Sequence, residues 1–191
     1  RLATAGPLVL GEWWAQAAPP ASAPAAVEVA VQALLPGGVR LTGKLDRLDL
    51  QPDGRRAAVL DYKTGKYDAA RARLLPAPPA AATASLAAWL ADPRLRGGDY
   101  WRQGVLYGLL LAHDRERRYE ATSMHFEFLQ PVRKPGQAPH YVRHRLVPTP
   151  AEQATVLAQA VAVDAAIRRY EFGPGCGQCR WCRLQAAPAN G

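Results

Sequence analysis

The sequence predicts an α/β fold, a mixed central β-sheet flanked by helices, closed by a cysteine-bearing C-terminal tail. Three observations predict it. Residues 27–62 carry strand-like apolar runs broken by Pro/Gly turns. The stretches beginning at Asp99 and Pro150 repeat apolar residues at helical spacing. Two more strand-like runs separate those stretches, so strands and helices share one chain without internal repeats. At 191 residues and 49% apolar composition the chain suits one domain. Much of that apolar share is Ala, so the core falls to Val, Leu, Ile, Trp, Tyr and Phe.

Each element has a local reason. Residues 7–16 read as a short helix carrying Trp13 and Trp14, and the Ala/Pro-rich residues 17–26 as a loop. Val27, Val29 and Val31 alternate as in a strand, and Pro36-Gly37-Gly38 turns the chain. In the next strand Val39, Leu41, Gly43 and Leu45 share one face, with Arg40, Thr42, Lys44 and Asp46 on the other. Gln51-Pro52-Asp53-Gly54 is a hairpin signal, and Ala57–Tyr62 forms the third strand. Residues 76–88, low-complexity Ala/Pro, are expected to form a flexible loop. A helix is expected from Asp99, as N-cap after Gly97-Gly98, to about Arg117, with Trp101, Val105, Leu106, Leu109 and Leu110 recurring at helical spacing. Met124–Leu129 and Tyr141–Val147 are strands. Thr149-Pro150-Ala151-Glu152 opens the last helix with a capping box and runs to about Arg169.

The chemistry concentrates in Gly43-Lys44-Leu45-Asp46-Arg47-Leu48-Asp49 and Val59-Leu60-Asp61-Tyr62-Lys63-Thr64-Gly65-Lys66. Asp61 and Lys63 are two apart on a strand and project to one face. A hairpin turning near residues 52–54 sets Asp46 opposite Asp61, so two carboxylates and an ammonium converge at one sheet edge. Carboxylates of this kind hold Mg²⁺ or Mn²⁺ while leaving positions open for water and a substrate phosphate. The ion lowers the pKa of bound water, and a nearby lysine orients that water or stabilises developing charge. Asp49 reads instead as a salt-bridge partner of Arg47.

These residues resemble the signature of the PD-(D/E)xK nuclease superfamily, in its RecB/AddAB-like form, over about Val27 to Cys182. The resemblance implies a restriction-endonuclease-like core. It makes Asp46 and Asp61 metal-binding acids, the Tyr62 carbonyl a further metal ligand and Lys63 the catalytic lysine. Gln103 and Tyr107, at i and i+4 on one helix face, resemble the Gln-x-x-x-Tyr motif of those nucleases, where the pair holds the strand and the lysine beside the catalytic centre. Asp99-Tyr100-Trp101-Arg102-Gln103 resembles the nuclease end of bacterial UvrD-type helicases. The implied function is a metal-dependent deoxyribonuclease, exonuclease-like, taking single-stranded ends from an attached helicase domain in DNA repair or recombination. The alternative is a catalytically inactive module of the same fold that binds DNA or protein; an enzyme acting on RNA or on nucleic-acid structure is a third. One part of the pattern is missing. Such sites include an upstream helix bearing a His or Glu, yet all four histidines here follow Lys63, and Glu12 and Glu28 are the obvious upstream acids.

The net charge of +8 suits a polyanionic partner, or equally a solvated Arg-rich surface. Arg102, Arg71 and Arg73, with Arg94 and Arg96, are the expected DNA contacts. Cys176, Cys179 and Cys182 form two Cys-x-x-Cys steps. An odd, clustered set argues against a disulfide framework and for a reducing compartment; with the resemblance, the expected location is the bacterial cytoplasm. The cysteines suit an iron–sulfur cluster or zinc, or a turn with reduced thiols. A fourth ligand could come from His113, His125, His140 or His144 or from before Arg1. The opening Arg1-Leu2-Ala3-Thr4 has neither Met nor signal-peptide layout and is expected to be an internal boundary of a longer chain. No stretch is long and apolar enough to span a membrane.

Overall fold

The structure, a computed structural model, describes residues 10–16, 24–171, 179, 180, 182 and 183. Residues 10–16 are helical (α1). Strands β1 (Ala25–Leu35), β2 (Val39–Leu50) and β3 (Arg56–Lys63) follow as two antiparallel hairpins. The crossover from β3 carries α2 (Tyr67–Ala70), α3 (Leu86–Ala91) and α4 (Asp99–Ala112). Then come β4 (Glu120–Phe128), β5 (Arg143–Leu146) and α5 (Pro150–Arg168). Among the described residues these strands form one sheet in the order β1-β2-β3-β4-β5. The β3–β4 pair is parallel and the other pairs antiparallel, which is the mixed sheet the sequence predicts.

The β1–β2 hairpin is not a uniform ribbon. Glu28 has φ 55, in the left-handed region that costs a β-carbon steric strain. The ladder skips there, from Val27↔Arg47 to Val29↔Leu45, leaving Glu28 facing Asp46. Burial changes parity at the kink. Leu48 is buried before it and Leu45, Val29 and Val31 beyond it, while Val27 is exposed. The simple alternation expected through Asp46 therefore holds only up to Leu45. Beyond the kink the ribbon packs on α4, and a β-carbon at Gly43 would lie 2.6 Å from Leu110.

Helix α4 is the spine of the core. Trp101, Val105 and Leu109 follow at four-residue intervals and are buried with Leu110 and Leu111. The helix stops at Ala112 rather than near Arg117, because the loop behind it pairs with β1 through an Ala33↔Asp114 bridge. Its N-cap is Gly98, and Asp99 is the first helical residue with its carboxylate on Arg73. The double glycine is needed. Gly97 has φ 68, and a β-carbon on Gly98 would lie 2.2 Å from the Arg73 carbonyl oxygen. The Ala/Pro-rich stretch 76–88 departs from the expected loop. Pro79–Thr83 forms a 3-10 turn whose Ala81 is fully buried, and its carbonyl accepts the Trp89 indole N–H at 3.1 Å. Small side chains there leave room for Trp89 to close over the turn.

The capping box of α5 is formed: Thr149 Oγ1 accepts from the Glu152 N–H at 3.2 Å, and Glu152 Oε2 accepts the Thr149 N–H at 2.7 Å. Thr149→Ala is expected to lower stability by about 1 kcal/mol, read as an earlier urea midpoint with an unchanged slope.

Candidate active site

β3 ends on Asp61, Tyr62 and Lys63, and its period of two sends Asp61 and Lys63 to one face. Parallel register with β4 sets Asp61 beside Phe126 and Lys63 beside Phe128, so the site has an aromatic floor. Asp61 is 5% exposed. The Lys63 ammonium sits 2.5 Å from Asp61 Oδ1 and donates to Gln103 Oε1 at 2.7 Å. Gln103 Nε2 donates to Asp61 Oδ2 at 2.9 Å and to the Tyr107 oxygen at 2.6 Å; the Tyr107 hydroxyl donates to Asp61 Oδ2 at 2.8 Å. The four side chains thus form a closed circuit. Burial first, and the Asp61 charge second, push the Tyr107 hydroxyl well above the ordinary phenol value, so it stays a proton donor.

Asp46 stands at the kink, where the β2–β3 ladder has just ended at Arg47↔Leu60. Its Oδ2 accepts the Tyr62 main-chain N–H at 3.0 Å, which ties the carboxylate to the strand bearing Asp61. Tyr62 itself points to the other side of the sheet. There Trp13 of α1 meets its ring edge-on at 5.6 Å and donates its indole N–H to buried Glu127 at 3.2 Å. Arg143 Nε holds the second oxygen of Glu127 at 2.6 Å. Glu12 lies on Arg133 at 3.1 Å, and Glu28 on Lys44. Neither upstream acid joins Asp46 and Asp61. Asp49 takes Arg47 at 2.5 Å, the salt bridge its spacing suggests.

Spacing did not reveal that the Lys63 ammonium lies over the rings of Tyr100, 4.4 Å from the centroid, and Phe126, 5.1 Å away. Tyr100 precedes Gln103 by one helical turn, a signal the sequence held. Phe126 is brought in by the long-range β3–β4 register, which leaves no local mark. The expected DNA contacts scatter. Arg71 pairs with Asp68 at 3.0 Å, Arg73 with Asp99 at 2.6 Å while covering the Tyr100 ring, and Arg94 with Asp92 at 3.0 Å. Half-buried Arg102 donates to the Arg96 and Gly97 carbonyls at 3.0 and 2.6 Å, and borders a cavity shared with Gln103 and Tyr107. Burial, with Arg96 nearby, pulls its pKa below the usual guanidinium value. Cys176 lies outside the described residues. The sulfurs of Cys179 and Cys182 are 3.4 Å apart.

The donor set fits a hard divalent ion held by few protein groups. Asp46 and Asp61 are carboxylates from adjacent strands, and the Tyr62 carbonyl follows Asp61 directly in sequence. Among the described residues no third His, Cys, Asp or Glu completes a cluster. Magnesium is commonly bound through one or two carboxylates, with water and substrate phosphate filling the remaining positions.

A mixed sheet presenting Asp-x-Lys at a strand end beside a second acid defines a class of metal-dependent nucleases. The family model for the PD-(D/E)XK nuclease superfamily matches residues 1–187, and the chain belongs to that superfamily. It has the fold of that superfamily, whose nucleases typically use divalent metals. No protein with a curated description matches it. The solved structure of a candidate exonuclease from Eubacterium rectale is similar at 17% identity, covering 83% of this chain and 51% of that one, with a TM-score of 0.44. The chain thus spans about half the length of that protein. No helix among the described residues is long and apolar enough to cross a membrane.

Proposed function

We propose that this domain hydrolyses DNA phosphodiester bonds, preferring single-stranded ends, as the exonuclease-like part of a helicase–nuclease working in DNA repair or recombination. The observation that supports this is the closed circuit of Asp61, Lys63, Gln103 and Tyr107 beside Asp46. Asp46, Asp61 and the Tyr62 carbonyl would hold Mg²⁺ or Mn²⁺, which when bound acidifies water and neutralises phosphate charge. Lys63 orients the attacking water and stabilises charge on the phosphorus-bound oxygens. Gln103 and Tyr107 act by holding Lys63 and Asp61, and their outward edges position the strand. Arg102 borders a cavity shared with Gln103 and Tyr107 and contacts phosphate, and Arg71 and Arg73 are further phosphate contacts of this reading. An iron–sulfur cluster or zinc on Cys176, Cys179 and Cys182 is the second metal centre of this proposal. Its check is the metal content of purified chain, expected to fall in Cys179→Ser.

The test is cleavage of end-labelled single-stranded DNA, double-stranded DNA and RNA with Mn²⁺, with Mg²⁺ and with chelator. Metal-dependent cutting of single strands, lost in Lys63→Ala, is the expected result. Cutting that survives Lys63→Ala overturns it. The missing third acid favours one other reading, a module that binds DNA without cutting it, which salt-sensitive binding without cleavage would establish.

A further inference from the structure

Many arginines here sit on a carboxylate, as Arg56 does on Asp53 and Arg143 on Glu127. Arg40, Arg55, Arg115 and Arg117 do not, among the described residues. They are also together. Arg55 and Arg117 line a cavity of about 510 Å³; Arg117 and Arg115 line the next, of about 310 Å³; Arg115 and Arg40 line a third, of about 210 Å³. Arg117 and Arg115 each line two neighbouring cavities, which makes a track rather than a socket. The third cavity shares Leu41 and Thr42 with the cavity bordered by Gln103 and Tyr107.

The loop that carries Arg115 and Arg117 is fixed. Asp114 bridges Ala33 of β1, the Arg115 N–H donates to the Gln32 carbonyl at 3.0 Å, and Arg118 reaches the Ala30 carbonyl at 2.7 Å. Arg117 is held at φ 48, a strained conformation for a residue with a β-carbon. The acids nearby are partly offset. Asp114 is 3% exposed and lies on Arg118, and Glu116 lies on Arg118 as well. Two carboxylates on one guanidinium leave one net negative charge, and Glu120, which borders the first cavity, is a second opposing charge.

We propose that Arg55, Arg117, Arg115 and Arg40 form a phosphate-backbone track that holds a single nucleic-acid strand several nucleotides away from the bond being cut. A row of unpaired guanidiniums on a rigid support matches the repeating charge of a nucleic-acid backbone, and such contacts position a strand without reading its sequence. The track extends the proposed function and takes its direction, towards Asp61 and Lys63, from that reading.

The experiment measures binding of labelled oligothymidylates, one of about 6 and one of about 30 nucleotides, to the full chain in chelator, so that no cutting intervenes. Wild type is compared with Arg40→Gln/Arg55→Gln/Arg115→Gln/Arg117→Gln, with the four Arg→Lys changes as a charge-keeping control. Four lost contacts flatten the salt slope by about 3, so wild type loses about 50-fold more affinity for the long strand than the Gln variant between about 50 and 200 mM salt. Short-strand binding is expected to be unchanged, and the Lys variant to follow wild type. An equal slope in the Gln variant, an equal loss for both lengths, or no binding of the long strand by wild type overturns the track. Because the readout is binding, a chain that holds the long strand through these arginines yet cuts nothing refutes the proposed hydrolysis and leaves the track standing.

Discussion

Asp61→Asn is expected to slow metal-dependent cleavage of single-stranded DNA by about 10³-fold or more, the scale on which losing one group that supports transition-state charge acts. The substitution keeps the volume of a side chain that is 5% exposed. It also keeps an oxygen able to accept from Tyr107, now at 2.8 Å. What it removes is the charge that draws the Lys63 ammonium to 2.5 Å and that would share a divalent ion with Asp46. Tyr107→Phe and Gln103→Leu are expected to cost only about 10–100-fold, because they act through Asp61 and Lys63 rather than on the phosphate. Single-turnover rates of the three variants, with near-ultraviolet circular dichroism to confirm native packing, give the comparison. Equal rates for Asp61→Asn and wild type would remove Asp61 from the chemistry.

Three local links among Asp46, Asp61, Lys63, Gln103 and Tyr107 were legible from spacing, whereas the contact of Gln103 and Tyr107 with Asp61 and Lys63, forty or more residues away, followed only from the resemblance. Asp61 and Lys63 are joined by strand period, Gln103 and Tyr107 by helix period, and Asp46 by a short hairpin. Their catalytic roles rest on the resemblance and the proposal built on it. What was not legible depends on distant pairing. The Phe126 ring beneath Lys63 comes from a parallel register that joins residues more than sixty apart, through a crossover whose path no local pattern records. The end of α4 was misplaced for the same reason: residues after Ala112 are polar enough to continue a solvated helix, but Asp114 is drawn to β1 instead. The kink at Glu28 was hidden because a glutamate in the left-handed region, unlike a glycine or asparagine, carries no sequence signature. In the 76–88 stretch, Ala and Pro read as low complexity, whereas Ala81 is small so that Trp89 can pack on its carbonyl.

Trp101 links stability to the proposed chemistry. Trp101→Ala is expected to cost about 4 kcal/mol, within the range for deleting a large buried aromatic. The side chain is fully buried, and its indole N–H donates to Glu152 Oε1 at 3.1 Å. The same carboxylate accepts from Thr149 through its other oxygen, so one group ties α4 to the start of α5. Trp101→Phe keeps a ring in the core but leaves that oxygen without its indole donor, and a loss of about 1–3 kcal/mol is expected. Against a total stability of about 5–15 kcal/mol the alanine change removes a large fraction of the margin. Urea unfolding followed by circular dichroism measures both changes; a shift below about 1 kcal/mol for Trp101→Ala would show that the residue does not anchor the core. Gln103 follows Trp101 by two residues on the same helix, so the indole that fixes the seating of α4 also fixes where Gln103 meets Asp61 and Lys63. Cleavage is therefore expected to fall in Trp101→Ala even at temperatures where the variant remains folded, and to recover in Trp101→Phe before stability does.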